Sequence, residues 1–236
     1  MNAAKRKLST PGDIKFNKLA VSKLTAHAYA INTDRELKVG ELFNLEGPPS
    51  GPTNYRGVDQ SYVGAKSPEH YLEFGSYRIE NAGIFLEDLA ERYAATKTDA
   101  LRQIHIAPES LRAHPTLSRT REQAYELQQP VKYLIAKHIE ASNGIIPAFA
   151  GGPGAHAEVR ALNSIVALYP DSTERLLSET TIFTDTLRRG DAPQDFVACC
   201  NCGGIIPDEV ILPTGRNPRN YVAFNDFVSQ LNSRAP

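Results

Sequence analysis

Two short runs of the sequence carry side chains that could do chemistry together. One reads His-Ala-Glu and begins at His156, and the other reads Cys-Cys-Asn-Cys and extends from Cys199 to Cys202. A histidine and a Cys-x-x-Cys pair supply three ligands of types that zinc accepts, and a catalytic zinc keeps its fourth position open. Two cysteines spaced in this way at a helix start can point to one spot, where the helix dipole favours the thiolate. The pattern therefore predicts a metal site formed by His156, Cys199 and Cys202.

Glu158 extends this prediction from metal binding to catalysis. It lies two positions after His156 among apolar neighbours, on the helix face that we expect to be buried. A buried carboxylate without a partner is costly. Because zinc lowers the pKa of a bound water to about 7, Glu158 would have both a partner and a task beside that water, as a proton shuttle.

Each half of the pattern is weak by itself. A lone histidine most often lies at the surface or caps a helix, and a lone Cys-x-x-Cys also occurs in redox and structural zinc motifs. The chain has 3 cysteines, so a structural site made of four cysteines is excluded. We expect Cys200 to be a packing or surface thiol. We expect the other five histidines to be structural: His27, His70, His105, His114 and His138. Of these, we expect His138 to be buried and hydrogen-bonded.

The two runs together resemble the signature of the zinc-dependent cytidine deaminase-like superfamily, His-x-Glu followed by Cys-x-x-Cys. The run His-Ala-Glu-Val-Arg-Ala-Leu-Asn, which begins at His156, is most similar to the bacterial toxin-type branch, the YwqJ-like deaminases. The resemblance covers roughly residues 120–236. Ala198 departs from it, since many members have proline there, which weakens the match to the housekeeping branches and leaves the ligand set intact.

The resemblance implies a three-layer α/β/α domain with a central mixed sheet and one Zn²⁺ per chain, with a bound water or hydroxide. It implies hydrolytic removal of a nucleobase amino group, with cytosine in a nucleotide or nucleic acid as first choice and adenine or guanine open. It further implies a toxin-type effector with a cognate immunity protein. Two alternatives stay open: a housekeeping or metabolic deaminase of free nucleosides or small heterocycles, and a non-catalytic zinc-stabilised interaction module.

Composition narrows the classes of protein. Apolar residues make up 41% and charged residues 22%, as in ordinary globular proteins. The net charge of -1 provides no global positive field for a long duplex. The clustering of all cysteines indicates action in a reducing, cytoplasm-like compartment. We find no apolar run of about 18 residues and no standard secretory signal, so we expect no membrane span and, for an effector, delivery without such a signal.

The elements that must position the site follow from local patterns. We predict a deaminase-like catalytic domain over residues 116–236, where helices and strands alternate and indicate an α/β fold. The helix after His156 should bury one face, formed by Glu158, Ala161, Leu162, Ile165, Val166 and Tyr169. The other predicted elements are a helix from Pro130, a strand over 145–149, a strand over 180–184, a short helix from about Cys199 to Pro207, a strand over 210–212, and an undecided element over 222–231.

Residues 1–115 show no pattern that we can assign to a fold. They contain a basic arm over 1–25, a Pro/Gly-rich loop over 47–57 and a helix near 84–96. Substrate-binding residues are unknown at this level. Four side chains have open alternatives: base stacking or core packing for Phe149, phosphate contact or a solvated loop for Arg188 and Arg189, and capping or substrate contact for Asn163.

Overall fold

The computed structural model of the chain combines helices and strands, as predicted for an α/β protein. It describes residues 26–32, 37–43, 45, 54–59, 76–98, 105–106, 112, 121–147, 150–168, 177–186 and 197–216. The basic arm, the loop over 187–195 with its two arginines, Phe149 and the segment 222–231 lie outside these residues.

The described strands are β1 (Ala26–Asn32), β2 (Leu37–Phe43), β3 (Ser76–Arg78), β4 (His105–Ile106), β5 (Ile145–Pro147) and β6 (Thr180–Thr186). The main sheet has four of these strands in the order β4-β2-β1-β6, and all three pairings are antiparallel. At its centre Ala30 of β1 pairs with Ile182 of β6, and both side chains are fully buried. A separate two-stranded sheet joins β3 to β5.

The segment predicted as a strand over 210–212 is shorter in the structure. Ile211 forms one parallel bridge with Thr181, so that its amide donates to Thr180 and its carbonyl accepts from Ile182. Turns flank this bridge on both sides. In one turn the Val210 amide donates to the Pro207 carbonyl, and in the other the Gly215 amide donates to the Leu212 carbonyl. The prediction of a strand is therefore wrong in extent, although Ile211 does add a parallel contact to the otherwise antiparallel sheet.

The helices are α1 (Ala82–Ala95), a 3-10 helix (Arg121–Tyr125), α2 (Gln129–Ala141), α3 (Ala157–Leu168) and α4 (Cys200–Ile205). Local features mark the starts of the first two α-helices. Asn81 caps α1, since its side chain accepts a hydrogen bond of 3.0 Å from the Ile84 amide. Pro130 lies in the first turn of α2, as predicted, where its missing amide hydrogen costs nothing.

Helix α3 is buried along its whole length, not along one face. All 12 of its residues are buried. It packs against β1, β2 and β6, and also against the 3-10 helix, α2 and α4. The prediction of a single buried face was therefore too narrow for α3, and Tyr169 lies outside the described residues.

The polar residues of α3 are tolerated inside because they are hydrogen-bonded. The Asn163 carboxamide accepts from the Gln128 amide at 2.8 Å and donates to the Glu126 carbonyl at 2.9 Å. Arg160 donates to the Thr96 hydroxyl at 3.4 Å. Asn163 thus fixes the segment that leads into α2, and its choice between capping and substrate contact stays open.

The main sheet takes strands from both halves of the chain. Strands β1 and β2 belong to the region for which the sequence predicted no fold, whereas β6 belongs to the predicted catalytic domain. The division at residues 115 and 116 stays a prediction about domain organisation. The sheet against which α3 packs crosses that division.

Candidate metal centre

The loop that precedes α3 places His156. Gly151 and Gly154 adopt positive φ values of 61° and 87°, a backbone conformation that favours glycine. A Cβ on Gly154 would lie 2.6 Å from Cδ1 of Ile135, so the loop passes close to α2. The His156 carbonyl then accepts from the Arg160 amide at 3.1 Å and opens the first turn of α3.

Two tyrosine hydroxyls from other elements donate hydrogen bonds to backbone carbonyls of this loop. Tyr77 of β3 donates to the Gly151 carbonyl at 2.8 Å, and Tyr93 of α1 donates to the Gly154 carbonyl at 2.7 Å. Both tyrosines are almost fully buried. The sequence did not reveal either contact, because the partners are 74 and 61 residues apart.

Helix α4 presents the two cysteines. Cys199 is the capping residue in extended conformation, and its Sγ accepts from the Cys202 amide at 3.5 Å. The other end of α4 is held by Arg216, whose guanidinium donates to the carbonyls of Ile206 at 2.5 Å and Pro207 at 2.6 Å. The spacing of the cysteines predicted that they lie at the start of a helix. The hydrogen bonds of Arg216 to the end of that helix were not predicted.

The predicted ligands converge. Nδ1 of His156 lies 3.2 Å from Sγ of Cys199 and 3.5 Å from Sγ of Cys202. The three ligand atoms all lie within 4.8 Å of one another, and among the described residues they form the group that could hold a metal ion. A nitrogen and a sulfur bound to one tetrahedral zinc stand about 3.5 Å apart. The donor set and its spacing therefore fit a tetrahedral ion of the zinc type.

The two cysteine ligands form an unequal pair. The pKa of Cys199 lies well below its ordinary value, chiefly because the Cys202 thiol donates a hydrogen bond to it and secondarily because His156 lies beside it. Burial raises the pKa of the Cys202 thiol well above its ordinary value. A metal cation favours the thiolate form of both sulfurs, so binding releases protons.

Glu158 faces the ligand group without belonging to it. Its side chain is 2% exposed, and its carboxyl is hydrogen-bonded with the Cys202 thiol. Burial raises the pKa of Glu158, and the charge of His156 opposes part of that rise. A carboxyl with a raised pKa next to a metal site can both accept and return protons.

The remaining cysteine and one predicted structural histidine lie beside the centre. Cys200 is buried, and its Sγ is not part of the ligand group in the described part of the chain. Nε2 of His138 lies 3.0 Å from Oδ1 of Asn201, so the prediction of a buried, hydrogen-bonded histidine is confirmed. His27 and His105 lie in strands β1 and β4. His70 and His114 are outside the described residues.

Comparison with known proteins gives one informative relative. The chain is 31% identical over 227 residues to Toxin subunit YenC2 of Yersinia entomophaga, an alignment that covers 86% of this chain and 20% of that protein. The chain thus spans about a fifth of the relative's length. No family model matches the chain, and no solved structure matches it. Within the described ranges, every helix is too short or too polar to cross a membrane.

Proposed function

We propose that this chain is a zinc-dependent hydrolase that removes an amino group from a nucleobase, as the toxic part of an effector. The proposal rests on one observation: three ligands of the zinc type meet at one point, and the buried Glu158 carboxyl faces them from the first turn of α3, two residues after His156. A structural zinc site ordinarily has four protein ligands, whereas a catalytic site has three and an open position. The group found in the described residues has three.

In the proposed reaction, water replaces the amino group of the base, and ammonia leaves. When bound, zinc would supply a Lewis acid that lowers the pKa of water to about 7. Glu158 would take a proton from the attacking water and pass it to the ring nitrogen. It would then take the second proton from the hydroxyl formed on the ring carbon and deliver it to the amine, so that a carbonyl remains and ammonia leaves. The raised pKa of Glu158 suits this role because it makes the carboxyl easier to protonate, so that the group can hold a proton between accepting it and returning it.

The substrate and the biological setting follow from resemblance. Cytosine in a nucleotide or nucleic acid is the proposed substrate, since the two motifs resemble those of cytidine deaminase-like enzymes. The name of the relative, a toxin subunit, supports an effector role, with a cognate immunity protein as partner. Action in a reducing compartment agrees with the centre, because two of its three ligands are cysteines that oxidation would remove.

A second candidate is a zinc-stabilised interaction module without catalysis. It is favoured by the burial of the cysteine ligands, since Cys202 is 0% exposed and Cys199 is 9% exposed. Such a module would keep its metal but would have no use for a buried carboxylate at Glu158.

The deciding experiment measures ammonia release by the zinc-loaded chain. Free nucleosides, single-stranded DNA, double-stranded DNA and RNA are offered in parallel, and the Glu158→Gln protein serves as the matched control. We expect release from a cytosine-containing substrate with the natural chain and a loss of at least about 100-fold with the variant. Equal release by both proteins would contradict the role of Glu158. Zinc binding without release from any substrate would favour the interaction module.

A further inference from the structure

Asn201 lies inside the cysteine run, yet its side chain points to another part of the molecule. Its Nδ2 donates to the carbonyls of Ala150 and Gly151, each at 3.0 Å. Both carbonyls belong to the loop that precedes His156. Asn201 is 1% exposed, so these hydrogen bonds are protected from water.

The other end of the carboxamide contacts α2. Because Nδ2 faces two carbonyls, the oxygen of Asn201 must face Nε2 of His138, at 3.0 Å. This oxygen can only accept, so His138 must carry a hydrogen on Nε2. Burial lowers the pKa of His138, which favours the neutral ring with that single tautomer. Both polar atoms of the Asn201 side chain thus make hydrogen bonds. Contacts with α2 and with the loop before α3 fix its rotamer.

We infer that Asn201 is a positioning residue of the metal centre, which sets the separation between the loop that carries His156 and the start of α4, where Cys199 is the capping residue and Cys202 lies in the first turn. It is the residue next to Cys202 in the chain, and it reaches the loop across 50 and 51 residues. His138 acts through Asn201 by holding the carboxamide in the orientation that donates to the loop. The inference rests on the metal centre of the proposed function and not on the reaction assigned to it.

A matched control is available at the same carbonyl. Tyr77 also donates to Gly151, at 2.8 Å, but it comes from β3. Tyr77→Phe therefore removes one hydrogen bond from the loop and keeps the connection between the loop and α4. Asn201→Ala and the isosteric Asn201→Asp remove that connection, the second because a carboxylate cannot donate to carbonyls.

His138 offers a second pair of variants that leaves the cysteine run untouched. His138→Gln keeps a donor for Oδ1 of Asn201, whereas His138→Leu removes it. Comparison of the two separates the hydrogen bond from the space that the ring fills. If the Asn201 variants fail to fold, the two His138 variants still test whether the orientation of the Asn201 side chain affects metal binding.

The test measures metal affinity and coordination in the full chain, with zinc and cobalt(II) as probes. Zinc affinity is obtained by competition with a chromophoric chelator, and the visible bands of the cobalt protein report the geometry of its ligands. Circular dichroism and thermal unfolding show that each variant is folded. We expect Asn201→Ala, Asn201→Asp and His138→Leu to bind zinc about 10- to 100-fold more weakly, with altered cobalt spectra. We expect Tyr77→Phe and His138→Gln to match the natural chain in both measurements.

Two results would overturn the inference alone. One is natural zinc affinity and an unchanged cobalt spectrum in the folded Asn201 variants or in folded His138→Leu. The other is an equal loss in Tyr77→Phe, because the stability of the loop would then govern the site. A natural chain that binds no metal would overturn the inference together with the metal centre. Zinc binding without ammonia release counts against the proposed function only, since the affinities decide this inference.

Discussion

The Tyr93 hydroxyl donates a hydrogen bond of 2.7 Å to the carbonyl of Gly154, across 61 residues of the chain. Gly154 lies two positions before His156, and Tyr93 is the largest fully enclosed side chain of α1. Helix α1 comes from the half of the chain whose fold the sequence did not predict. It nevertheless helps to fix the loop that carries a predicted metal ligand.

Replacing Tyr93 by phenylalanine tests the strength of this connection. The ring stays in place, and the buried Gly154 carbonyl loses its donor, so we expect unfolding to become easier by about 1–3 kcal/mol. Chemical denaturation of the zinc-loaded protein measures the difference. Tyr133→Phe is the control, because the Tyr133 side chain on α2 is 61% exposed. An equal effect of both substitutions would contradict the importance of the buried bond.

The three cysteines should differ in their contribution to metal binding. Elemental analysis of the natural chain should give about one zinc per molecule. Cys199→Ser and Cys202→Ser each remove a ligand from a group of three and should lose the zinc. Cys200→Ser should retain it, because this thiol is buried outside the ligand group. Loss of zinc in Cys200→Ser would show that the ligands are assigned wrongly.

Glu158→Ala separates catalysis from metal binding. The carboxyl is not a ligand in our assignment, so the variant should hold zinc as the natural chain does. Removing a proton shuttle should lower deamination by about 100- to 10,000-fold, and we expect the upper end because one group serves several transfers. Metal analysis and ammonia release on the same sample provide both measurements. Retained activity in a zinc-loaded variant would refute the mechanism and leave the metal centre intact.

His138 should make stability depend on pH. Burial lowers its pKa below the ordinary value of 6.5, so the unfolded chain takes up a proton at a higher pH than the folded chain does. The contribution of His138 to stability is therefore complete above about pH 6.5 and is lost as the pH falls through the lowered pKa. Between about pH 7.5 and about pH 5.5, the natural chain should lose more stability than His138→Gln. Parallel unfolding curves for the two proteins would contradict this.

The sequence predicted what depends on neighbours in the chain. The apolar spacing of α1 and α2, the β-branched run of β6 and the two motif runs are local signals, and the structure contains these elements close to the predicted bounds. These features need no knowledge of distant partners. The convergence of His156 with cysteines 43 and 46 residues away does depend on a distant contact, and it was predicted from the donor types and from the resemblance of the two runs to a known signature.

What the sequence did not predict depends on contacts between distant residues. Strands β1 and β2 were missed because each needs a second partner far along the chain: β1 pairs with β6, and β2 pairs with β4. The burial of Arg160 and Asn163 was missed because polar residues ordinarily mark an exposed face, and their partners come from other segments. Asn201 was overlooked for the same reason, since its hydrogen bonds go to α2 and to the loop before α3.

The complete burial of α3 has a consequence for the order in which this chain folds. Helix α3 packs against the main sheet, in which Ala26 of β1 pairs with Thr186 of β6. Forming this sheet therefore joins segments near opposite ends of the described chain. Contacts between such distant segments form slowly, because a large loop must close before they contribute any stability. The helix that follows His156 gains its full packing only after that step. We therefore expect the metal-binding group to assemble late in folding, after the segments that carry its three ligands have been brought together.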